Sequence, residues 1–347
     1  MTVTAPTPAD TTARALSLAR ALGFAAAGAA PLGPTPHANA ARAFFGAGHH
    51  GQMDWLARSL EDRLDPRRRF PWAKSALALA TPHEAPTRAP DRDGAADISG
   101  RVAAYARGRD YHKVLERRTR ELGRRLSDVF PSLEWRAYVD TGPLLERDLA
   151  RAAGLGWIGK NGMLLSADLG SYLMLSVLLV SVELEPAAPV LDQCGGCRKC
   201  LDACPTGALV AERVLDATRC LSYVTIEQRG ELDPPDLAGY AFGCDLCQLA
   251  CPYNAHAAAG DPELAPRPEL AELALADWVA LDHDTYQASF RASAIKRAGR
   301  AGLVRNAMWL AHQLGDEPAL AATARRRHDP DPIIAGTARA VTARARP

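Results

Sequence analysis

The spacing of apolar and polar residues predicts helices and strands that alternate over the first half of the chain. Apolar residues at helical spacing predict four helical segments, at 11–29, 39–60, 111–128 and 144–153. Short apolar or alternating runs predict four strands, at 74–80, 102–105, 133–139 and 172–182, with a loop over 81–98. This alternation predicts an α/β domain over residues 1–183.

All eight cysteines of the chain lie between Cys194 and Cys251. Such clustering argues against a disulfide framework and indicates a metal site. The run Cys194-x2-Cys197-x2-Cys200-x3-Cys204-Pro205 is the bacterial ferredoxin pattern. A second, incomplete run follows as Cys244-x2-Cys247-x3-Cys251-Pro252. Its expected first position is Ala241, so Cys220 is the only thiol left to complete it.

In two-cluster ferredoxins the fourth cysteine of such a run binds the other cluster, so eight thiolates divide into two sets of four. The first set is Cys194, Cys197, Cys200 and Cys251, and the second set is Cys204, Cys220, Cys244 and Cys247. The alternative, a pair of structural zinc sites, fits the spacing and the following prolines less well. The sequence therefore predicts a ferredoxin-like domain over residues 184–265 with two [4Fe–4S] clusters, which an external low-potential donor reduces.

The charge of the chain changes after the cysteines. Residues 231–290 carry eleven acidic side chains and one basic side chain, whereas residues 291–347 carry eleven basic and four acidic ones. Helical patterns in the second segment predict HEAT-like α-helical repeats over residues 266–347. Four clustered cations there suit contact with nucleic-acid phosphates, although a solvated helical face has the same pattern. They are Lys296, Arg297, Arg300 and Arg305.

The overall composition is that of an ordinary globular protein. Hydrophobic residues make up 48% of the chain, and 41 Lys and Arg nearly balance 40 Asp and Glu. The longest apolar run, 172–182, is too short to span a membrane, and residues 1–10 lack the pattern of a secretory signal. We therefore expect a cytoplasmic protein without a membrane segment, and we expect a monomer.

Two segments of the first domain are too specific in sequence to be scaffolding alone. One is Tyr105-Ala-Arg-Gly108-Arg-Asp110-Tyr111-His112. The other is Asp140-Thr-Gly-Pro-Leu-Leu-Glu146-Arg147, which continues through Gly154 to Asn161. With the double ferredoxin run behind them, these segments resemble the epoxyqueuosine reductase family. Further stretches that agree with it are 53–56, 63–66, 220–227 and 293–306.

The resemblance implies a reaction and its cofactors. Members of this family reduce the epoxide of epoxyqueuosine, at the wobble position of a tRNA anticodon, to the alkene of queuosine. A cobalamin between the α/β domain and the cluster domain performs the carbon–oxygen chemistry, and the clusters deliver electrons to it. Without the resemblance, the sequence indicates only an iron–sulfur reductase with an unknown acceptor.

The resemblance also implies roles for single residues. Asp140 is the expected proton donor for the departing oxygen, with a pKa raised by burial against the corrin. The alternative for Asp140 is a helix N-cap. Ordinary alternatives for the cofactor residues are surface ion pairs for Arg63 and Lys160 and a turn position for Ser222. The residues expected at the cobalamin are Arg63, Ala103, Tyr105, Asp140, Lys160, Asn161, Ser222, Gln228 and Asp245.

Two other functions fit parts of the same pattern. A corrinoid enzyme that acts on small molecules, similar to a reductive dehalogenase, would share both cofactors but has no need of the basic tail. An electron-carrier protein, whose α/β domain only docks a partner, would need the clusters alone. Binding of one cobalamin per chain would exclude the electron carrier.

Overall fold

The computed structural model describes residues 7–90 and 101–344. Its N-terminal strands are β1 (Ala26–Pro31), β2 (Ser75–Pro82), β3 (Trp135–Tyr138), β4 (Trp157–Ile158), β5 (Leu164–Leu165) and β6 (Leu173–Val180). Four of them form one sheet in the order β1-β2-β6-β3, and every neighbouring pair is antiparallel. The predicted mixture of helices and strands is confirmed, but the sheet lacks the parallel pairing typical of alternating α/β folds.

Helices cover both faces of this sheet. The N-terminal helices are α1 (Pro8–Ala21), α2 (Ala38–Gly46), α3 (Asp54–Ala57), α4 (Leu60–Leu64), α5 (Tyr111–Val129) and α6 (Glu146–Ala152). Helices α1 and α5 pack on one face, in a core with side chains of β2 and β6. Helix α6 packs on the other face. It lies so close to β1 that a Cβ on Gly28 would come within 2.0 Å of the Ala153 carbonyl oxygen.

The first predicted helix is too long at its C-terminal end. Gly23 has a φ of 83° and follows the end of α1, whereas residues 26–29, predicted as helix, belong to β1. Alanine-rich sequence favours a helix by intrinsic propensity. Pairing of every β1 residue with β2, a strand buried at every position, outweighs that propensity.

The prediction for residues 81–105 is wrong in part. Thr81 and Pro82 continue β2 instead of beginning a loop, and residues 91–98 of the predicted loop lie outside the described residues. The predicted strand at 102–105 is a single bridge from Val102 to Phe242, followed by a 3-10 turn. Residues 102–104 therefore pack on the cysteine region and not on the central sheet.

The cysteine region consists of short elements between its loops. They are α7 (Lys199–Asp202), β7 (Leu209–Ala211), β8 (Val214–Leu215), α8 (Leu221–Ile226) and α9 (Leu246–Leu249). The Ala103 N–H donates to the Phe242 carbonyl at 2.8 Å, and the Ala104 N–H donates to Asp245 Oδ2 at 2.8 Å. A Cβ on Gly243 would lie 2.4 Å from the Ala103 Cβ, so only glycine permits this close approach.

The C-terminal part is helical. Its helices are α10 (Pro268–Ala271), α11 (Leu275–Ala280), α12 (His283–Ser289), α13 (Gly299–Leu314), α14 (Glu317–Arg325) and α15 (Pro332–Arg344). Helix α13 is the central one, because nine successive residues from Leu303 to Ala311 are buried. One hydrophobic core joins these helices to α8 and Phe242 of the cysteine region. Over the described ranges 7–90 and 101–344, no helix combines the length and apolar character needed to cross a membrane.

Candidate active site and metal centres

Asp140 occupies a strained turn directly after β3. Its φ is 58°, a left-handed conformation that costs a non-glycine residue roughly 1–3 kcal/mol. Across this turn the Thr141 N–H donates to the Val139 carbonyl at 2.6 Å. The Asp140 side chain is 63% exposed. Helix α6 begins only at Glu146, so the interpretation of Asp140 as a helix N-cap is wrong.

The first two residues of α5 hold the Asp140 carboxylate. Tyr111 Oη donates to Asp140 Oδ2 at 2.9 Å, and His112 Nε2 lies 3.4 Å from the same oxygen. The other ring nitrogen of His112 is 2.8 Å from Asp110 Oδ1, which also caps α5. The imidazole of His112 therefore lies between two carboxylates.

These contacts shift the pKa values of Asp140 and His112 in opposite directions. The hydrogen bond from His112 lowers the pKa of Asp140, with a further contribution from Tyr111, and outweighs the effect of burial. Burial acts to lower the pKa of His112, but the hydrogen bonds and charges of Asp110 and Asp140 raise it to about 9. In this arrangement the ionised form of Asp140 is therefore favoured, and the pKa raised by burial against a corrin stays a prediction. At neutral pH the proton of the pair lies on His112.

Two further side chains, Glu146 and Arg63, bind the backbone at and after this turn. Glu146 Oε1 accepts the Asp140 N–H at 2.7 Å. Burial, followed by the charge of Asp140, raises the pKa of Glu146 to about 8. Arg63 is 9% exposed and donates to the Leu144 carbonyl at 3.0 Å, so it is not a surface ion pair. We call Arg63, Tyr105, Tyr111, His112, Asp140 and Glu146 the Asp140 cluster.

Tyr105 connects the Asp140 cluster to the cysteine region. Its ring centroid is 6.1 Å from that of Tyr111 and 6.2 Å from that of Phe242. Burial raises its pKa, and the charges of Asp140 and Asp245 act in the same direction. Tyr105 therefore lies between the acid and a carboxylate of the cysteine region.

Sequence reasoning included Tyr111, His112 and Glu146 in the family segments but assigned them no role. The sequence signal for His112 is the spacing Asp110-x-His112 at the start of a helix. This spacing places the imidazole next to the N-cap carboxylate of Asp110. Nothing local points to Glu146, because its partner is a backbone N–H six residues earlier.

Two of the predicted cofactor residues lie beside the cysteines instead of in the Asp140 cluster. Lys160 and Asn161 line a cavity next to the first set of thiols. Lys160 Nζ pairs with Glu212 at 2.7 Å while only 7% of its side chain is exposed. Asn161 Nδ2 donates to the Cys247 carbonyl at 3.5 Å. Lys160 thus adjoins the first thiol set, and Asn161 adjoins both sets.

The other predicted cofactor residues surround the contact between residues 103–105 and the cysteine region. Asp245 is 3% exposed, and its Oδ2 accepts the Ala104 N–H. This bond fixes residues 103–105 against the cysteine region. Ser222 lies on α8 next to Cys220. Burial raises the pKa of the Cys220 thiol, and hydrogen bonds from Ser222 act against this effect. Gln228 follows α8, and its backbone carbonyl accepts from Arg305 at 3.0 Å.

The first set of four thiols surrounds one cavity of about 300 Å³. Trp157 Nε1 donates to the Cys194 sulfur at 3.4 Å. Within the part of the chain that the structure describes, no three His, Cys, Asp or Glu side chains are arranged to hold a single metal ion. Four thiols around a cavity fit a thiolate-bound cluster, in which each iron takes one ligand. The four are Cys194, Cys197, Cys200 and Cys251.

The second set of thiols is identified by mutual charge effects. Burial raises the pKa of Cys244 to about 12, and nearby Cys220 and Cys204 act in the same direction. Burial raises the pKa of Cys247 well above its usual range, with contributions from Cys244 and Cys220, and from Cys200 of the first set. Cys220, which lies outside both spaced runs, is therefore close to the others. Bound iron would offset this resistance to ionisation.

The predicted nucleic-acid residues all line one basic cavity, but one of them is buried. Lys296, Arg297, Arg300 and Arg305 line a cavity of about 410 Å³, together with Arg229. Arg305 is only 1% exposed, and its guanidinium donates to the carbonyls of Val224, Gln228 and Gly230 at 2.9–3.1 Å. The prediction that Arg305 contacts RNA is therefore wrong, because these bonds attach α13 to the end of α8.

Two sequence-family models match the chain. One, described as "Epoxyqueuosine reductase QueG, DUF1730", matches residues 63–141, which include Arg63, Tyr105 and Asp140. The other, described as "4Fe-4S double cluster binding domain", matches residues 193–254, which include all eight cysteines. The two matches thus cover the Asp140 cluster, except Glu146, and both thiol sets.

Solved structures of epoxyqueuosine reductases have the same fold. One with a tRNA-Tyr epoxyqueuosine-modified stem loop has a TM-score of 0.81 and 30% identity, over 94% of this chain and 88% of that chain. The Bacillus subtilis enzyme, with its catalytic aspartate loop swung out of the active site, has a TM-score of 0.84 and 29% identity, over 95% and 88%.

Two proteins named epoxyqueuosine reductase match this chain over most of their length. The epoxyqueuosine reductase of Synechococcus sp. (strain RCC307) is 38% identical over 301 residues, which cover 84% of this chain and 90% of that protein. The epoxyqueuosine reductase of Gloeobacter violaceus is 38% identical over 329 residues, which cover 90% and 99%. With this identity over nearly its full length, the chain belongs to the epoxyqueuosine reductase family.

Proposed function

We propose that this protein reduces epoxyqueuosine to queuosine at the wobble position of a tRNA anticodon, with cobalamin and two [4Fe–4S] clusters as cofactors. The observation that carries the proposal is the Asp140 cluster, an exposed carboxylate bound to a charged imidazole, connected through Tyr105 to the region of both thiol sets. Removal of an epoxide oxygen as water needs two electrons and two protons, and the first proton goes to the oxygen as its bond to carbon breaks. The thiol sets serve the first need and the Asp140 cluster serves the second.

The two clusters form a relay with a direction. The first cluster is bound by Cys194, Cys197, Cys200 and Cys251, and the second by Cys204, Cys220, Cys244 and Cys247. Gly195 and Gly196, within the first run, are exposed, and a Cβ on either would meet no atom within 4 Å. The second set adjoins Asp245, which holds residues 103–105. An external donor protein therefore reduces the first cluster, and the second cluster is the inner one.

The cobalamin site lies between the Asp140 cluster and the second thiol set. When bound, cobalamin supplies the carbon–oxygen chemistry through its cobalt. Residues that match the family's sequence segments lie near this proposed site. Lys160 and Asn161 extend the site toward the first thiol set. The side chains or backbone that would hold the corrinoid belong to Arg63, Ala103, Tyr105, Ser222, Gln228 and Asp245.

Asp140 delivers the proton to the departing oxygen. A carboxylate with a lowered pKa is a poor acid by itself. His112, with a pKa of about 9, holds the proton at neutral pH and lies 3.4 Å from Asp140 Oδ2. Transfer from His112 to Asp140 and onward to the substrate keeps Asp140 as the group that touches the reacting oxygen.

The substrate tRNA is held by the C-terminal helices. Lys296, Arg297 and Arg300 present positive charge at the cavity where α13 begins, which suits backbone phosphates. Helices α11, α13, α14 and α15 form HEAT-like pairs that support this surface. We divide the chain into the catalytic region 1–183, the cluster region 184–265 and the tRNA region 266–347. The protein acts in the cytoplasm as a monomer.

The test is an anaerobic reconstitution. The protein is loaded with iron, sulfide and cobalamin, reduced by a strong reductant, and given tRNA that carries epoxyqueuosine. Mass spectrometry of the digested nucleosides should show loss of one oxygen, dependent on cobalamin and on intact tRNA. No conversion by protein with both clusters and cobalamin bound would refute the proposal and favour a small-molecule substrate.

A further inference from the structure

We propose that Glu146 is a positioning residue, which holds the Asp140 turn in its reactive arrangement by accepting the Asp140 backbone N–H. The inference rests on the proposed function, because it concerns the same acid. Glu146 touches neither substrate nor cofactor in this proposal. It acts through the backbone of the residue that does.

The Asp140 turn needs an external support. Asp140 is one of four non-glycine residues with positive φ in the described ranges, and it alone of the four belongs to the Asp140 cluster. Within the turn, the bond from the Thr141 N–H to the Val139 carbonyl spans only two residues, a geometry that is rare and strained at positive φ. Such a conformation persists only where its surroundings determine it.

Glu146 supplies that support from the start of α6. Its Oε1 accepts the Asp140 N–H at 2.7 Å, a short distance for this type of bond. With a pKa of about 8, Glu146 is largely neutral at pH 7, and the carbonyl oxygen of a neutral carboxyl group still accepts an N–H. Because α6 packs against the sheet, its first residue is a fixed point for the turn.

The charged groups that the structure describes around Glu146 do not bind its carboxyl group. Arg63 and Asp140 both affect its pKa, yet in the described parts of the chain no cation lies within ion-pair distance of Glu146. Arg63 donates instead to the Leu144 carbonyl, and Arg147 to the Gly162 carbonyl. Placing two carboxylates together is unfavourable by itself. An ordinary ion pair does not explain Glu146, whereas a bond to the Asp140 backbone does.

The bond also decides where the Asp140 side chain points. With its N–H directed to Glu146, Asp140 presents its carboxylate to Tyr111 and His112 on the opposite helix. Without that anchor the turn can relax to negative φ, which swings the carboxylate away from His112. The acid would then lose its proton source even though no catalytic side chain had changed.

Three variants of Glu146 test the role, in full-length protein with reconstituted clusters. Glu146→Gln keeps an acceptor oxygen, whereas Glu146→Ala removes it. Glu146→Leu also removes it but keeps much of the volume, and it replaces the alanine variant if that variant does not fold. Glu317→Ala is the matched control, because Glu317 is also the first residue of its helix, is exposed and lies in the C-terminal part.

The primary measurement is hydrogen–deuterium exchange of the Asp140 amide, without substrate. We expect exchange to be about tenfold faster or more in Glu146→Ala or Glu146→Leu, since the Asp140 amide loses its hydrogen-bond acceptor. Glu146→Gln should stay within about threefold of wild type, as should Glu317→Ala. With epoxyqueuosine tRNA, kcat should fall about tenfold or more with the acceptor removed, while KM changes less than about threefold.

Two results would overturn the proposal. One is an Asp140 amide that exchanges at the wild-type rate in Glu146→Ala and Glu146→Leu. The other is a glutamine variant as impaired as the alanine variant, which would show that charge and not the acceptor matters. Exchange does not require turnover, so an inactive wild-type protein would refute the proposed reaction and leave the test of Glu146 intact.

Discussion

The cysteine region and the Asp140 cluster are built in different ways. Seven of the eight cysteines belong to two short runs, and the spacing within each run brings its neighbouring thiols together. The Asp140 cluster draws on segments that are far apart in the chain, from Arg63 through Tyr105 and His112 to Glu146. Its geometry depends on how β3, α5 and α6 pack.

The difference predicts where each site is vulnerable. A site held by covalent metal bonds is lost when a ligand is lost, because the remaining thiols cannot hold a complete cluster. A site held by hydrogen bonds across separate elements loses function in steps, according to which bond is removed. Cys220 is the exception in the first region, because tertiary structure alone brings it to the second set.

The largest effect is expected at Cys220. Cys220→Ala should lower iron and labile sulfide to about half of the wild-type content and abolish reduction of epoxyqueuosine, because one of two four-iron clusters loses a ligand. Iron analysis and electron paramagnetic resonance of the reduced protein measure this. Thr218→Ala, an exposed change in the same loop, is the control and should keep both clusters. Full iron content in Cys220→Ala would remove Cys220 from the ligand set.

Asp140→Asn should have the next largest effect. The amide cannot release a proton, so turnover should fall by roughly 10²–10⁴-fold, as for loss of a general acid. Absorption spectra should show unchanged clusters and unchanged cobalamin binding. Asp128→Asn, at an exposed position on α5, should behave as wild type. Wild-type turnover in Asp140→Asn would disprove the acid role.

His112 should determine the behaviour at alkaline pH. Its pKa is raised from 6.5 to about 9, so its charge stabilises the fold fully below about pH 6.5, and this contribution is lost as pH rises through 9. The difference in thermal stability between wild type and His112→Asn should therefore shrink between pH 6.5 and 9. Above about pH 9, kcat of the wild type should fall roughly tenfold per pH unit. A pH-independent stability difference would contradict the charged imidazole.

The smallest effect is expected in the basic cavity. There, substitution of one cation should weaken tRNA binding, and substitution of another should lower the stability of the fold. Lys296→Gln should weaken tRNA binding a few-fold and reduce its salt dependence by about 0.7–0.9 in the log–log slope, with the melting temperature unchanged. Arg305→Gln should instead lower the free energy of unfolding by about 1–3 kcal/mol, because buried carbonyls lose their donor. Equal stability of both variants would contradict the burial of Arg305.

The same contrast explains how much of the fold followed from sequence. Helical periodicity predicted α5, because α5 buries one face, and continuous apolar runs predicted β2 and β6, because these strands lie in the core. The strand β1 was missed since its alanines fit a helix equally well, and only its partner β2 selects the strand. The antiparallel order of the sheet was not encoded in any local pattern.

By itself, the sequence predicted both cluster ligand sets and the segments that contain the expected acid. These predictions depend on residue identity and on spacing along the chain. Tertiary structure alone placed His112 between two carboxylates, Glu146 on the Asp140 N–H and Arg305 in the interior. Each of these depends on distances between residues far apart in sequence, and burial and hydrogen bonding act only once those distances are short.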